Sequence, residues 1–188
     1  LHTPMAYLYA ILYRLLIYPA RKQAKHVTRT LFFGEELQIA LPASTDIYLT
    51  AAKSHDSEIR LARFLIRNLQ EGDHFLDIGA HVGYFSVLAS KLIGSKGQVI
   101  ACEPSAETYR LLSANALHHP NVQALQTAVS DHVGEMTFYE FGSSHSEYNS
   151  GDITQYADSD WLRHNPPQKR CIPCVTIDHL CRQYQLNP

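Results

Sequence analysis

The sequence predicts an α/β protein with a Rossmann-like, mostly parallel sheet flanked by helices. Apolar strand-like segments alternate with segments of helical periodicity over residues 74–130, and a glycine-containing turn directly follows the first strand. Strand, helix, strand, helix, strand is the order that builds parallel sheets, because parallel strands need a long crossover connection. A chain of 188 residues is long enough to bury one hydrophobic core around such a sheet.

The predicted core has five elements, each with its own local signal. The strands are predicted at residues 74–79, 98–103 and 121–130, and the helices at residues 82–93 and 105–119. Gly94 ends the first helix, and Ser105 is placed to cap the second. The carboxyl ends of parallel strands meet at one edge of a sheet, so residues that follow these strands should share a site.

Residues 1–54 are predicted to form a helical and irregular extension ahead of the core domain, residues 55–188. Met5–Tyr18 is apolar except for Arg14 and is too short to span a bilayer, which needs about 20 residues. One interpretation is a packed helix that ends at Pro19. The other is a helix on a membrane surface, with basic residues at the lipid head groups, namely Arg21, Lys22 and Lys25.

Short strands are plausible on either side of a turn at Gly34 and Glu35, within residues 31–52. Residues 56–70 have helical spacing of apolar side chains, with Asp56 or Ser57 as the N-cap. The same segment brings His55, Asp56 and Glu58 just ahead of the core. These side chains could face a substrate, although capping of a surface helix is the commoner role for such residues.

The pattern changes after Asp131. An extra strand is predicted at residues 134–141, then a polar loop at residues 142–170, a strand at residues 171–177 and a helix from residue 178. The part of the loop from Ser143 to Ser150 has the composition of a substrate lid, and equally that of a plain connection.

Composition and charge exclude several classes of protein. Hydrophobic residues make up 45% and charged residues 18%, which is ordinary for a globular protein. The net charge of −2 offers no basic field for a nucleic-acid backbone, so nucleic acid is not expected as a partner. The four cysteines are not spread along the chain as a disulfide framework would be, which favours a reducing compartment. We therefore predict a cytoplasmic location, with membrane association as the alternative.

The cysteines also raise the question of a metal. Cys171 and Cys174 lie three residues apart with His179 and Cys181 nearby, and a structural zinc ion needs four convergent ligands. On a strand, Cys171 and Cys174 face opposite sides. We therefore interpret them as structural cysteines and expect no metal site.

The turn after the first strand predicts a ligand site. Gly79 allows a sharp turn, and the helix that follows points free N–H groups at a ligand lying against the backbone. The glycines Gly79 and Gly83 have a G-x-x-x-G spacing, not the G-x-G-x-x-G spacing that holds a dinucleotide pyrophosphate, which disfavours an NAD-dependent oxidoreductase. Asp77 at the end of the strand could attract the ammonium of a bound amino acid.

The second predicted strand ends in an acidic residue that could belong to the same ligand site. Glu103 lies 24 residues after Gly79, close to the spacing at which Rossmann-like units place a carboxylate that accepts hydrogen bonds from ribose hydroxyls. Pro104 stops strand pairing and presents an apolar ring that could pack on an adenine. Together these residues predict an adenosyl site at the carboxyl edge of the sheet.

The ordered segments FLDIGAHVGYFSVLAS, VIACEPSAETYRLLSANALHHPNV, LQTAVSDHVGEMTFYEF and VTIDHL resemble the FkbM family of S-adenosylmethionine (SAM)-dependent methyltransferases over roughly residues 55–180. The resemblance implies SAM as the cofactor. The residues predicted to bind it are Asp77, Gly79, Ala80, His81, Gly83, Tyr84, Phe85, Glu103, Pro104, Ala128 and Asp131. Position 81 is often Asn in such motifs, and His81 would make any cap pH-sensitive.

The resemblance implies O-methylation of a hydroxyl on a sugar or small-molecule acceptor, and it assigns no catalytic residue. The alternative is a non-catalytic adenosyl-binding or interaction module derived from the same fold. The family pattern continues beyond VTIDHL with a further strand, and the three core strands form only the first half of a doubly wound sheet. We therefore expect this chain to be C-terminally truncated, with the acceptor side of the pocket largely missing and weak or no methyl transfer. The oligomeric state is not predicted.

Overall fold

Helices and strands alternate along most of the chain in the computed structural model, which describes residues 4–21, 23–142, 145–154 and 159–186. The helices are α1 (Pro4–Leu12), α2 (Tyr18–Arg21), α3 (Thr45–Thr50), α4 (Asp56–Asn68), α5 (Tyr84–Ile93), α6 (Ala106–Ala116), α7 (Asp160–His164) and α8 (Ile177–Tyr184). The strands are β1 (Lys25–Thr30), β2 (Glu36–Leu41), β3 (His74–Ile78), β4 (Gln98–Cys102), β5 (Val122–Leu125), β6 (Ala128–Val129), β7 (Gly134–Glu140) and β8 (Gln168–Val175). A π-helical turn, Tyr13–Ile17, joins α1 to α2, and Ser146–Tyr148 forms a 3-10 turn.

The predicted parallel sheet is confirmed. Its strand order is β3-β4-β5, and both neighbouring pairs are parallel. Alternate side chains of β4 face opposite layers: Val99 packs with buried residues of α5, while Ile100 packs with Leu180 of α8. Helices therefore cover both faces of this Rossmann-like sheet, and among the described residues β3 is an edge strand.

The third predicted strand, residues 121–130, is wrong as a single element. β5 ends at Leu125, whose carbonyl accepts the Glu103 N–H at the end of β4. The chain then leaves the sheet, and Ala128 pairs with Cys174 in a second sheet of order β6-β8-β7.

The second sheet extends further than the sequence predicts. β8 begins at Gln168, inside the predicted loop 142–170, because its antiparallel pairing with β7 runs to the pair Gln168 and Glu140. The same loop also contains α7, whose N-cap Ser159 accepts a hydrogen bond from the Leu162 N–H. The predicted strand at residues 134–141 is confirmed as β7.

The cysteines of β8 face opposite sides, as its alternation predicts. Cys171 is exposed and Cys174 is buried. Within the described ranges no three His, Cys, Asp or Glu side chains converge as a metal site.

The N-terminal hairpin is offset from its predicted place. β1 covers residues 25–30, which the sequence predicts as irregular, because the turn occupies residues 31–35 and is closed by the hydrogen bond from the Leu31 N–H to the Glu35 carbonyl. On β2, Leu37 and Ile39 are fully buried. They share a hydrophobic cluster with Val82 and Leu111, so the hairpin shares a core with the parallel-sheet unit.

Asn115 joins these two parts of the chain. It lies on α6, is 2% exposed, and its Oδ1 accepts the Gln38 N–H at 2.7 Å while its Nδ2 donates to the Gln38 carbonyl at 3.0 Å. Nδ2 also donates to the Val82 carbonyl at 2.7 Å. One side chain therefore satisfies both backbone groups of Gln38 and fixes β2 against the turn that follows β3.

We expect Asn115→Asp to lower the free energy of unfolding by about 2–5 kcal/mol, because two carbonyls lose their donor and face a carboxylate. Chemical denaturation followed by circular dichroism measures this. Asn68→Asp is the matched control, since Asn68 makes one exposed hydrogen bond to the Phe64 carbonyl. A loss at Asn115 no larger than the ~0.5 kcal/mol usual for a surface substitution would contradict the role of Asn115.

The N-terminal helix does not end at Pro19, which lies within α2. The π-helical turn before it explains the difference: the Tyr18 N–H donates to the Tyr13 carbonyl, five residues back, and this wider turn accommodates the proline ring. Only Ala10 and Tyr13 of this helix are buried. No helix within the described ranges is long and apolar enough to cross a membrane.

The N-cap of α4 also differs from the prediction. His55, not Asp56 or Ser57, is the capping residue, because the first helical hydrogen bond runs from the Ile59 N–H to the His55 carbonyl. The His55 side chain makes no capping hydrogen bond.

Candidate adenosyl site at the sheet edge

A cavity of about 840 Å³ lies at the carboxyl ends of β3 and β4. The strand ends contribute Ile78, Gly79, His81, Glu103 and Pro104 to its lining. Two further walls come from the N-terminal region and from the chain between β7 and α7. The N-terminal wall includes Arg14, Tyr18, Thr45, Asp46, Lys53, His55 and Glu58, and the other wall includes residues 145–147 and 149–151. The predicted convergence of the two strand ends is therefore present in the structure.

The turn after β3 has three residues with left-handed backbone. Gly79, His81 and Gly83 have φ values of 76°, 53° and 89°. The N–H groups of Gly79 and Ala80 both donate to the Cys102 carbonyl, at 2.9 and 3.0 Å, which fixes the turn against β4. Left-handed backbone is uncommon for residues other than glycine, and both Asn and His are enriched there, which suits the His81 position.

Glu103 contributes a buried carboxylate to the cavity. Its side chain is buried, and its two carboxylate oxygens accept the His81 N–H and the Ser105 N–H, each at 3.0 Å. Burial raises the pKa of Glu103 to about 7, against the lowering effect of these two hydrogen bonds. Each carboxylate oxygen has a second lone pair, so Glu103 retains the capacity to accept hydrogen bonds from a ligand.

His81 joins the turn to the loop wall of the cavity. Its Nε2 lies 2.9 Å from the Ser146 Oγ. Burial lowers the pKa of His81 to about 4, with a smaller contribution from the charge of Lys53. His81 is therefore neutral near physiological pH, so the pH sensitivity predicted for this position is confined to acidic conditions. Ser143 and Ser144 of the predicted lid segment lie outside the described residues.

Asp77 faces the start of α5. Its Oδ2 accepts a hydrogen bond from the Ser86 Oγ at 2.6 Å, and burial raises its pKa. This carboxylate therefore holds the first turn of α5, the helix that follows the glycine turn. It does not line the cavity in the described structure.

Of the other predicted residues, some line the cavity and some lie outside its lining. Ala128 lines the cavity together with its neighbour Thr127. Asp131 is exposed and its Oδ1 lies 2.8 Å from the His132 Nδ1. Four predicted residues, in the turn or at the start of α5, lie outside the lining, namely Ala80, Gly83, Tyr84 and Phe85. Glycine suits position 83 because its φ is 89°, and a Cβ there would also lie 2.8 Å from the Leu112 Cδ1.

An ion pair on the N-terminal wall was not singled out by the sequence analysis. The Lys53 Nζ lies 3.0 Å from the Glu58 Oε1, and both side chains are mostly buried. The other oxygen, Oε2, is buried and has no hydrogen-bond partner. The sequence does not indicate that Lys53 and Glu58 meet, and only the fold brings them into the same cavity lining as the glycine turn.

Comparisons with known proteins give a domain match and partial structural similarities. Residues 77–188, more than half of the chain, match the profile described as Methyltransferase FkbM domain. The comparison with curated proteins gives no significant match.

Solved structures that resemble the chain include a SAM-dependent methyltransferase from Aquifex aeolicus, at 28% identity, TM-score 0.33, covering 41% of this chain and 42% of that one. TYW2 of P. horikoshii in complex with MeSAdo has 16% identity and TM-score 0.43, covering 58% and 39%. A SAM-dependent O-methyltransferase from Thermotoga maritima has 14% identity and TM-score 0.36, covering 57% and 58%. The chain thus spans between 39% and 58% of the length of these structures.

The domain match begins at Asp77, near the end of β3, and includes the glycine turn, Glu103, β4, β5 and the second sheet. The cofactor of the methyltransferases that this chain resembles is SAM. Because the match covers more than half of its length, the chain belongs to the Methyltransferase FkbM domain family.

Proposed function

We propose that this chain binds SAM in the cavity at the ends of β3 and β4 and takes part in methyl transfer to a hydroxyl of a small-molecule or glycan acceptor. The observation that carries the proposal is the meeting of Gly79 and Glu103 in one cavity, with open space at the position of a Gly79 Cβ. An adenosyl ligand needs a close backbone approach at the turn and a hydrogen-bond acceptor for its ribose at the next strand end. Both are present within the family's matched segment.

Glu103 would hold the ribose. Its carboxylate is fixed by two backbone N–H donors, so no side-chain freedom is lost when a ligand binds. Pro104 and Ala128 lie beside it in the lining and offer apolar surface for the adenine. Asp131, an exposed residue just after β6, stays a prediction.

Lys53 and Glu58 would recognise the charged amino-acid end of the cofactor. That end carries an ammonium and a carboxylate, and this ion pair offers one group of each sign. The unpartnered Glu58 Oε2 is the natural acceptor for the ammonium, because a buried carboxylate oxygen without a donor is costly. Lys53 lines the same cavity as Gly79 and His81 of the glycine turn. Asp77, bonded to Ser86, would support this turn from behind.

When bound, SAM supplies an electrophilic methyl group on a sulfonium. The contribution of the chain is to orient the acceptor hydroxyl, exclude water and accept its proton. His55 is our candidate base: it lines the cavity, and its imidazole is not used to cap α4. His55 would accept the proton that the acceptor hydroxyl loses on methylation.

The alternative function is a non-catalytic adenosyl-binding or interaction module. Even weak methyl transfer would exclude this alternative, whereas cofactor binding without turnover is compatible with both functions, because weak or no transfer is expected of this chain. A labelled-methyl assay against sugars and small hydroxylated acceptors measures the transfer.

Calorimetry with S-adenosylhomocysteine, which has the same amino-acid end, tests the site. We expect Lys53→Met to weaken binding about 10- to 150-fold, because a charge-assisted hydrogen bond is lost. Lys96→Met is the matched control, since Lys96 forms an exposed ion pair with Glu71 away from the cavity. Unchanged affinity in Lys53→Met would remove the ion pair from the site. Absence of binding by the unmodified chain would contradict the proposed function.

A further inference from the structure

The outer face of the N-terminal helix carries a row of exposed apolar side chains that the cavity and the core do not use. Met5, Leu8, Leu15 and Leu16 are 71%, 52%, 65% and 64% exposed. Ile11 and Leu12 add to the same surface at 52% and 42%. Single exposed leucines are ordinary on soluble proteins, but a contiguous helical surface of this kind marks an interaction site.

The opposite face of this helix is tied to the domain. The Tyr13 hydroxyl donates to the Gln23 carbonyl at 2.8 Å, and the Lys25 Nζ donates to the Tyr9 hydroxyl at 2.6 Å. The Tyr9 ring also packs with Tyr13 and Tyr48. The helix is therefore held in place by its tyrosines while the leucines and methionine point away from the core.

The charge of the surrounding segment has one sign. Residues 1–34 contain no Asp or Glu, and their basic residues are Arg14, Arg21, Lys22, Lys25 and Arg29. The whole chain has a net charge of −2, so this segment differs from the rest of the protein. An apolar helical face within a basic segment has the chemistry of a helix lying in the head-group region of an anionic bilayer.

We propose that the exposed face of the N-terminal helix, defined by Met5, Leu8, Leu15 and Leu16, docks on an anionic membrane surface. The leucines enter the acyl boundary and the exposed Arg14 and Arg21 of the same helix meet lipid phosphates, while Lys25 stays bonded to Tyr9. Arg14 and Tyr18 of the same helix line the cavity, so docking places the cavity beside the bilayer. This inference concerns the surface of the protein and does not depend on the proposed methyl transfer.

Co-sedimentation of the full chain with phosphatidylcholine vesicles, with and without phosphatidylserine, tests the proposal. We expect binding to the vesicles that contain phosphatidylserine, reduced by added salt, and at least about 10-fold weaker binding by the double variant Leu15→Glu, Leu16→Glu. Leu117→Glu is the matched control, because Leu117 is 82% exposed at the end of α6 and should leave binding unchanged. Circular dichroism confirms that the variants are folded.

Two outcomes would overturn the inference. One is equal vesicle binding by the unmodified chain and the double variant. The other is no vesicle binding at all. If sedimentation velocity then shows self-association that the double variant abolishes, the apolar face contacts a second copy of the chain instead of a membrane.

Discussion

Gly79→Val is expected to abolish cofactor binding while the parallel sheet remains folded. Gly79 has φ of 76°, a region that β-branched residues rarely adopt, and no other atom lies within 4 Å of the position of an added Cβ. The valine side chain would therefore enter the cavity and meet no protein atom. The space that it fills is where the ligand must approach the backbone, so the loss of affinity should exceed the range of calorimetry.

Gly72→Val separates the effect on the ligand from backbone strain. Gly72 has φ of 92°, also has open space around its Cβ position, and lies outside the cavity. Both variants should lose a similar free energy of unfolding, about 1–3 kcal/mol for the strained backbone. Only Gly79→Val should lose S-adenosylhomocysteine binding. Binding retained by Gly79→Val would show that the ligand lies elsewhere.

The elements with strong periodicity and clear ends could be predicted from the sequence. β3, β4, α5 and α6 alternate between apolar runs and helical spacing, and glycines or a proline end three of them. The failures in the second sheet have one physical cause, which is pairing between segments distant in the chain. Whether residues 121–130 form one strand or two depends on β8, which follows about forty residues later.

The same reasoning applies to the site. Glu103 and Gly79 could be predicted because each follows a core strand, and parallel strand ends meet at one edge. Lys53 could not, because its place in the cavity depends on how the N-terminal hairpin packs against α6 through Asn115. The hydrogen bond between Asp77 and Ser86 could not be predicted either. A carboxylate at the end of a strand can bind a ligand or hold the start of a helix, and the sequence pattern is the same in both cases.

Glu103→Ala is expected to weaken S-adenosylhomocysteine binding about 5- to 150-fold, which corresponds to the loss of a buried hydrogen-bond acceptor worth about 1–3 kcal/mol. The substitution also leaves the His81 and Ser105 N–H groups without their acceptor, so the turn loses stability in the absence of ligand. Thermal unfolding of the variant, compared with the unmodified chain, measures this second effect. An unchanged affinity would remove Glu103 from the ribose site.

The pH dependence of binding distinguishes a ribose acceptor from a purely structural carboxylate. Burial raises the pKa of Glu103 to about 7 in the free protein, so its ionised form is disfavoured and the free energy of unfolding should fall as pH rises from its unfolded pKa toward 7. Ribose hydroxyls donate to the ionised form and pull the equilibrium toward it. Affinity should therefore decrease about 10-fold between pH 8 and pH 6, and this dependence should vanish in Glu103→Ala. A pH profile that is identical in the two proteins would mean that Glu103 braces the turn without touching the ligand.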